Sequence, residues 1–303
     1  MAEFAGAFAA SHGPLVIREW QAIPEEQKKR LSFAYEELGR RLAAANPDVV
    51  VVVVPDHWAN FALDNYPAFC VGVGEVNEGP PEPWMKDFPH KTLPGHARFA
   101  LHFVQESLRH DFEPAVSHRL KLDHGVCIPL WKMKLARLPR IVPLIVNSIE
   151  QPLPSLRRCL GWGSLLRRSI ESFPGELRVA VLATGGLSHS VVEKTMGAID
   201  EVLDQECIRL FSSGNEKKLI AFLEKQLPVA GNGTEEIRNW LVAHGAAGGR
   251  GFELVDYLPV PTVIVGCGYA AWSPGASRPS TPASRRRAAP ARRRPLSRQR
   301  RSA

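Results

Sequence analysis

The sequence predicts an α/β fold, a single domain with a central, mostly parallel or mixed sheet flanked by helices. Three observations carry that prediction. Strand-like apolar runs alternate with helix-period segments from residue 4 to residue 265. One run, Val49–Val54, is six consecutive valines, the composition of a strand buried on both faces. The chain has 303 residues, 45% of them hydrophobic and 23% charged, ordinary values for a globular protein large enough to bury a sizeable core.

The elements follow in order. Residues 4–10 form a short apolar strand. Residues 24–45 read as a helix opened by Pro24 and two glutamates, with Leu31, Tyr35, Leu38 and Leu42 recurring on one face. The valine strand follows, over 48–54, then a strand at 69–73, a helix at 97–109 and a strand at 141–146. A helix at 153–173 and a strand at 177–183 make a further pair. Helices are expected at 191–211, 216–226 and 234–243, and a last short strand at 263–265. Residues 79–95 carry five prolines and read as a long irregular loop, of the kind that is usually functional or mobile.

The net charge of +7 does not describe the folded part. Residues 273–303 hold ten arginines and no acid, so the remainder carries −3. That segment has one leucine and no aromatic residue, too little apolar surface to offset its ordering entropy, and reads as a disordered basic tail appended to a domain at 1–272. The five cysteines are scattered without a CxxC pair, which fits reduced thiols in a cytoplasmic compartment and argues against a disulfide framework. The N-terminus is apolar, but Glu3 and the lack of a preceding Lys or Arg argue against a secretory signal. No apolar run approaches the roughly 20 residues of a membrane span.

Three histidines stand just beyond expected strands: His12 in AASHGP, His57 in VVVPDHW and His189 in ATGGLSHS. Ligands of open α/β sheets bind beyond the carboxyl ends of the strands, so the three can share one crevice. Glu236 lies in the first turn of TEEIRNWL. Each has an ordinary reading: a satisfied polar histidine, a glutamate complementing a helix dipole, and, for nearby Asp56, a turn former. Rival motifs fail. GVGEVNEG lacks the third glycine of a dinucleotide fingerprint, GLSHS is not a nucleophile elbow, and there is no Walker A or HExxH sequence.

Several motifs in one order nevertheless resemble the class III extradiol dioxygenases, the family of protocatechuate 4,5-dioxygenase β subunits and 2,3-dihydroxyphenylpropionate 1,2-dioxygenases. They are SHGPL at Ser11, PDHWANFALDNYPAFCVGVG from Pro55, LDHG at Leu122, PLPSLRR at Pro152, TGGLSH at Thr184, GNGTEEIRNW from Gly231 and PVPTVIVGCG from Pro259, together spanning nearly all of residues 4–272. The resemblance implies that His12, His57 and Glu236, four residues before the tryptophan of EIRNW, hold Fe(II). It implies that His189 is the catalytic acid/base and that His124 lies near substrate and oxygen. Asp123 and Asp56 are expected to orient these groups through hydrogen bonds.

Two imidazoles and one carboxylate on one face of Fe(II) leave positions open for a catecholic substrate and O₂. A base must take a phenolic proton and an acid must return one during ring opening, work suited to an imidazole with an ordinary pKa of about 6.5. The expected product is a muconic semialdehyde. The short stretch between His189 and the glutamate helix tilts the expected substrate towards protocatechuate or gallate, with a 2,3-dihydroxyphenylpropionate-type catechol as the alternative. The partner is then a small α-type subunit or a second copy of the chain. The tail does not resemble the family, and its composition suits either a frame-shifted end or a basic arm for nucleic acid. A zinc hydrolase with the same ligand set, or a non-catalytic interaction protein on the same fold, are the readings from other classes.

Overall fold

The computed structural model describes residues 1–273, so the predicted tail lies outside the described residues apart from Ser273. In chain order the elements are β1 Glu3–Ala10, α1 Leu15–Arg18, α2 Glu25–Ala45, β2 Val49–Val54, β3 Phe69–Gly72, β4 Val76–Glu78, β5 Thr92–Pro94, α3 Ala97–Arg109 and β6 Ala115–Ser117. They continue with α4 His124–Lys132, β7 Arg140–Val146, α5 Leu156–Ser172, β8 Arg178–Thr184, α6 Glu201–Ser213, α7 Glu216–Gln226, α8 Ile237–Ala246, β9 Phe252–Val260 and β10 Val265–Trp272. Eight strands form one mixed sheet in the order β6-β3-β7-β2-β8-β1-β10-β9. Its centre, β7-β2-β8-β1, is parallel, and β10 and β9 add an antiparallel margin.

The valine strand shows why the sheet is covered on both faces. Val49, Val51 and Val53 join the core beneath α3, α5, α6, α7 and α8. Val50, Val52 and Val54 face the opposite way, onto α2 and α4. All six are fully buried. Parallel register places the carboxyl ends of β2, β8 and β1 side by side, with Val53 opposite Ala183 and Ala10 opposite Thr184.

Several expected elements differ. The helix predicted over 191–211 begins only at Glu201, because Asp200 caps it by accepting from Leu203 N while its own N–H donates to Ser188 Oγ. The loop at 79–95 is bounded by a small hairpin, β4 with β5, and contains a 3₁₀ turn at Pro83–Met85. Residues 261–263 form a 3₁₀ turn rather than a strand, and β10 starts at Val265 after Ile264 takes a left-handed conformation (φ 55°). α4, β6 and β9 lack a clear sequence signature. Pro129 inside α4 and Pro259 on the sheet's edge strand β9 mask the usual patterns, although an edge strand tolerates proline because one side needs no ladder donor.

Candidate metal and substrate site

The three strand-end histidines do converge. His12 follows β1, His57 follows β2 and His189 follows β8, on three neighbouring parallel strands. Glu236 closes a 3₁₀ turn, Asn232–Glu236, and stands at the head of α8. Its Oε1 lies 3.4 Å from His12 Nε2 and 3.5 Å from His57 Nε2, and its Oε2 lies 3.9 Å from His189 Nε2. The ring centroids of His12 and His57 are 4.9 Å apart, and His124 stands 4.1 Å from His57. His12, His57 and His124 each offer a nitrogen within 4.8 Å of the others.

Each histidine is held from behind by its Nδ1. His12 Nδ1 pairs with Thr184 Oγ1 at 3.1 Å, and His57 Nδ1 donates to Asp123 Oδ2 at 3.1 Å. His124 Nδ1 donates to Glu82 Oε1 at 2.7 Å, and His189 Nδ1 donates to the Leu187 carbonyl at 2.9 Å. An imidazole whose Nδ1 is engaged in this way presents Nε2, with its lone pair, to the other side. The carboxylate is fixed similarly, because Glu236 Oε2 accepts from Gly186 N at 2.8 Å. Two side chains of α8 tie that helix to the same turn: Asn239 Nδ2 donates to Thr184 O and Trp240 Nε1 donates to Gly185 O.

Two glycines are required by these close approaches. At Gly185 (φ 104°), an added Cβ would lie 2.3 Å from Glu236 Oε2. At Gly233, it would lie 2.1 Å from the His189 ring.

The electrostatics favour positive charge at this point. Burial disfavours ionised Asp123, yet His57 beside it holds the carboxyl well below the usual carboxylate range. Burial also opposes a charge on His57, but Asp123 and Glu236 outweigh it and lift the pKa to about 10. Glu236 is held well below the ordinary value against its own burial, chiefly by His12 and His189. Burial pushes His12 the other way, towards the neutral imidazole.

Asp123 also accepts from His57 N at 2.8 Å and caps α4 through Gly125 N. Asp56 is placed differently. Its carboxylate accepts from Asn60 N, Asn60 Nδ2 and Phe61 N, so it builds the turn after β2 and touches none of the four histidines. The plain turn-former reading is the one the structure bears out for Asp56. Glu82, in the proline-rich segment, went unnoticed in the sequence; it accepts from both His124 N and Nδ1. Forty-two positions and a loop without periodicity separate the two, so no pattern linked them.

These groups floor a cavity of about 260 Å³ whose remaining lining includes Leu15, Ser148, Ile149, Val191, Asn232 and Val263. A buried, largely apolar cleft with a few convergent polar groups is the usual form of a small-molecule site. Among the described residues, no helix is long and apolar enough to cross a membrane, and all five cysteines are buried free thiols.

Comparison with known proteins agrees with this geometry. The sequence profile of the family described as the catalytic LigB subunit of aromatic ring-opening dioxygenase matches residues 6–268. A 2,3-dihydroxyphenylpropionate/2,3-dihydroxicinnamic acid 1,2-dioxygenase of Paraburkholderia xenovorans is 30% identical, over 75% of this chain and 85% of the relative. The protein of that name from Photorhabdus laumondii is 27% identical, over 78% of this chain and 86% of the relative. Among solved structures, an uncharacterized protein of Escherichia coli K12 superposes with a TM-score of 0.58 at 16% identity, over 88% of this chain and 98% of that one, which speaks for the fold alone. The chain belongs to the LigB family of class III extradiol dioxygenases and is an aromatic ring-opening dioxygenase.

Proposed function

We propose that this enzyme uses Fe(II), held by His12, His57 and Glu236, to open the ring of a catechol beside its two hydroxyls. The donor set fits the ion. Two Nε2 atoms and a carboxylate oxygen meet at 3.4 and 3.5 Å, longer than ordinary hydrogen bonds and suited to ligands about 2 Å from a shared cation. Their setting favours positive charge, since Glu236 faces both histidine nitrogens and Asp123 stands behind His57. Two histidines and one carboxylate form the ligand set of non-haem Fe(II) oxygenases. When bound, the ferrous ion would supply adjacent positions for the diol and O₂ and a route for electrons between them.

The chain's own residues account for the remaining work. His189 presents Nε2 to the cavity because Nδ1 is spent on Leu187 O, so it can take the phenolic proton and return it as the ring opens. His124 presents Nε2 from the other side, oriented by Glu82, where it can hydrogen-bond a substrate or oxygen atom. Asp123 holds His57 in the tautomer that coordinates through Nε2 and raises its basicity.

The observation that carries this reading is the meeting of Glu236 Oε1 with the Nε2 atoms of His12 and His57, both far away in the sequence. It is tested by loading the protein with Fe(II) under nitrogen, adding catechol and air, and following oxygen uptake together with the yellow ring-opened product. Hydrolysis without oxygen uptake, supported by zinc, would contradict it. The relatives' names carry a different catechol from the protocatechuate or gallate suggested by the short 189–236 stretch, so the substrate rests on the cavity itself. We further read residues 1–272 as one catalytic domain with 273–303 appended to it. The five buried thiols support a reducing, cytoplasmic setting, and a second copy or a small subunit is the expected partner.

A further inference from the structure

We infer that the ring substituent this site accepts is uncharged, in contrast to the acids named for the relatives; the inference rests on the proposed catechol chemistry. Besides the histidines and Glu236, the cavity is lined by Leu15, Ile149, Val191, Val263, Ile264 and Val265. Among the described residues, no lysine or arginine lines it. Arg238, in the first turn of α8, is committed to Glu235 and to the Pro154 carbonyl and does not line the cavity.

The polar capacity left for a substituent is small and neutral. Asn232 is consumed by a reciprocal clasp, accepting from Val191 N and donating to Val191 O, each at 2.9 Å. Ser148 is different: the residue is 1% exposed and lines the cavity, and among the described residues its hydroxyl has no hydrogen-bond partner. A buried hydroxyl left without a partner is costly unless a ligand supplies one, so Ser148 marks the point where a neutral polar atom of the substituent is welcome.

Charge balance points the same way. Glu236 stands in the cavity, Asp123 lies behind His57 and Glu82 behind His124, so three carboxylates already surround the histidine cluster at which a catechol would bind as an anion. A further carboxylate on the ring would add like charge beside aliphatic residues, with no lysine or arginine among the described lining residues to pair it. Burying an unpaired charge under those conditions is strongly unfavourable.

The test separates charge from shape. The full-length, Fe(II)-loaded chain is titrated under nitrogen with 3-(2,3-dihydroxyphenyl)propionate, with its isosteric propionamide and with 3-butylcatechol, and oxygen uptake is then measured for each and for unsubstituted catechol. The neutral pair should bind at least tenfold more tightly than the acid and show a correspondingly higher kcat/KM. An acid that binds as well as the amide, or better, overturns the inference, as does failure to bind any of the three. Absence of oxygen uptake with every catechol would instead remove the proposed chemistry, while the anaerobic binding ratio would still decide the question of charge.

Discussion

Each imidazole that lines the cavity is tied from behind, whereas the aliphatic residues that share the lining, such as Leu15, Ile149 and Val263, carry no polar group to tie and the buried hydroxyl of Ser148 has no partner among the described residues. Four Nδ1 atoms are engaged, by Thr184, Asp123, Glu82 and Leu187, and Glu236 Oε2 is held by Gly186 N. Among the described residues Ser148 Oγ has no partner, and Asn232 clasps the backbone at Val191. The histidine cluster is preorganised for a reaction and tolerates little displacement. The aliphatic residues and Ser148 supply shape, apolar contact and one hydrogen bond, so they can change the choice of substituent without disturbing the chemistry.

Substitutions from the centre of the histidine cluster outward should therefore fall in a graded series. Glu236→Ala or His12→Ala removes one of the three proposed ligands, and oxygen uptake should drop to background with loss of bound iron. His189→Ala should keep its iron, measured by metal analysis, yet lose about 10²–10⁴-fold in kcat, the range of a missing acid/base group. Asp123→Asn releases the orientation of His57 and should cost about 10–100-fold in iron affinity or turnover. Glu82→Gln should leave iron binding unchanged and lower kcat by roughly tenfold, since it acts only through the setting of His124. A Glu82→Gln protein that lost its iron would mean that His124, not Glu236, completes the ligand set.

How much of this was legible in the sequence depends on whether the signal was local. His12, His57 and His189 each follow a strand whose apolar pattern is continuous with them, so their shared edge could be read directly. Glu236 looked like any acid in a first helical turn until the motif around Trp240 singled it out; its approach to β1 and β2 is a tertiary fact. Asp56 and Asp123 both immediately precede histidines in similar short motifs, yet Asp123 holds His57 and Asp56 only its own turn. Nothing in either motif tells which carboxylate bends back. Glu82 and Ser148 had no signal at all, because an irregular proline-rich loop and a strand-end serine acquire meaning only once α4 and β7 are placed. For the fold, the parallel centre was evident from the valines, while β9, with Glu253, Asp256 and Pro259, hid as an edge strand that need not look apolar.

The most direct test of the three-ligand centre is ferrous-ion binding by anaerobic equilibrium dialysis, comparing the unmodified chain with His12→Ala, His57→Ala, Glu236→Ala and His189→Ala. One iron per chain in the unmodified and His189→Ala proteins, and a loss of binding in the other three, is the expected result. Full iron occupancy in Glu236→Ala, or its loss in His189→Ala, would contradict the assignment.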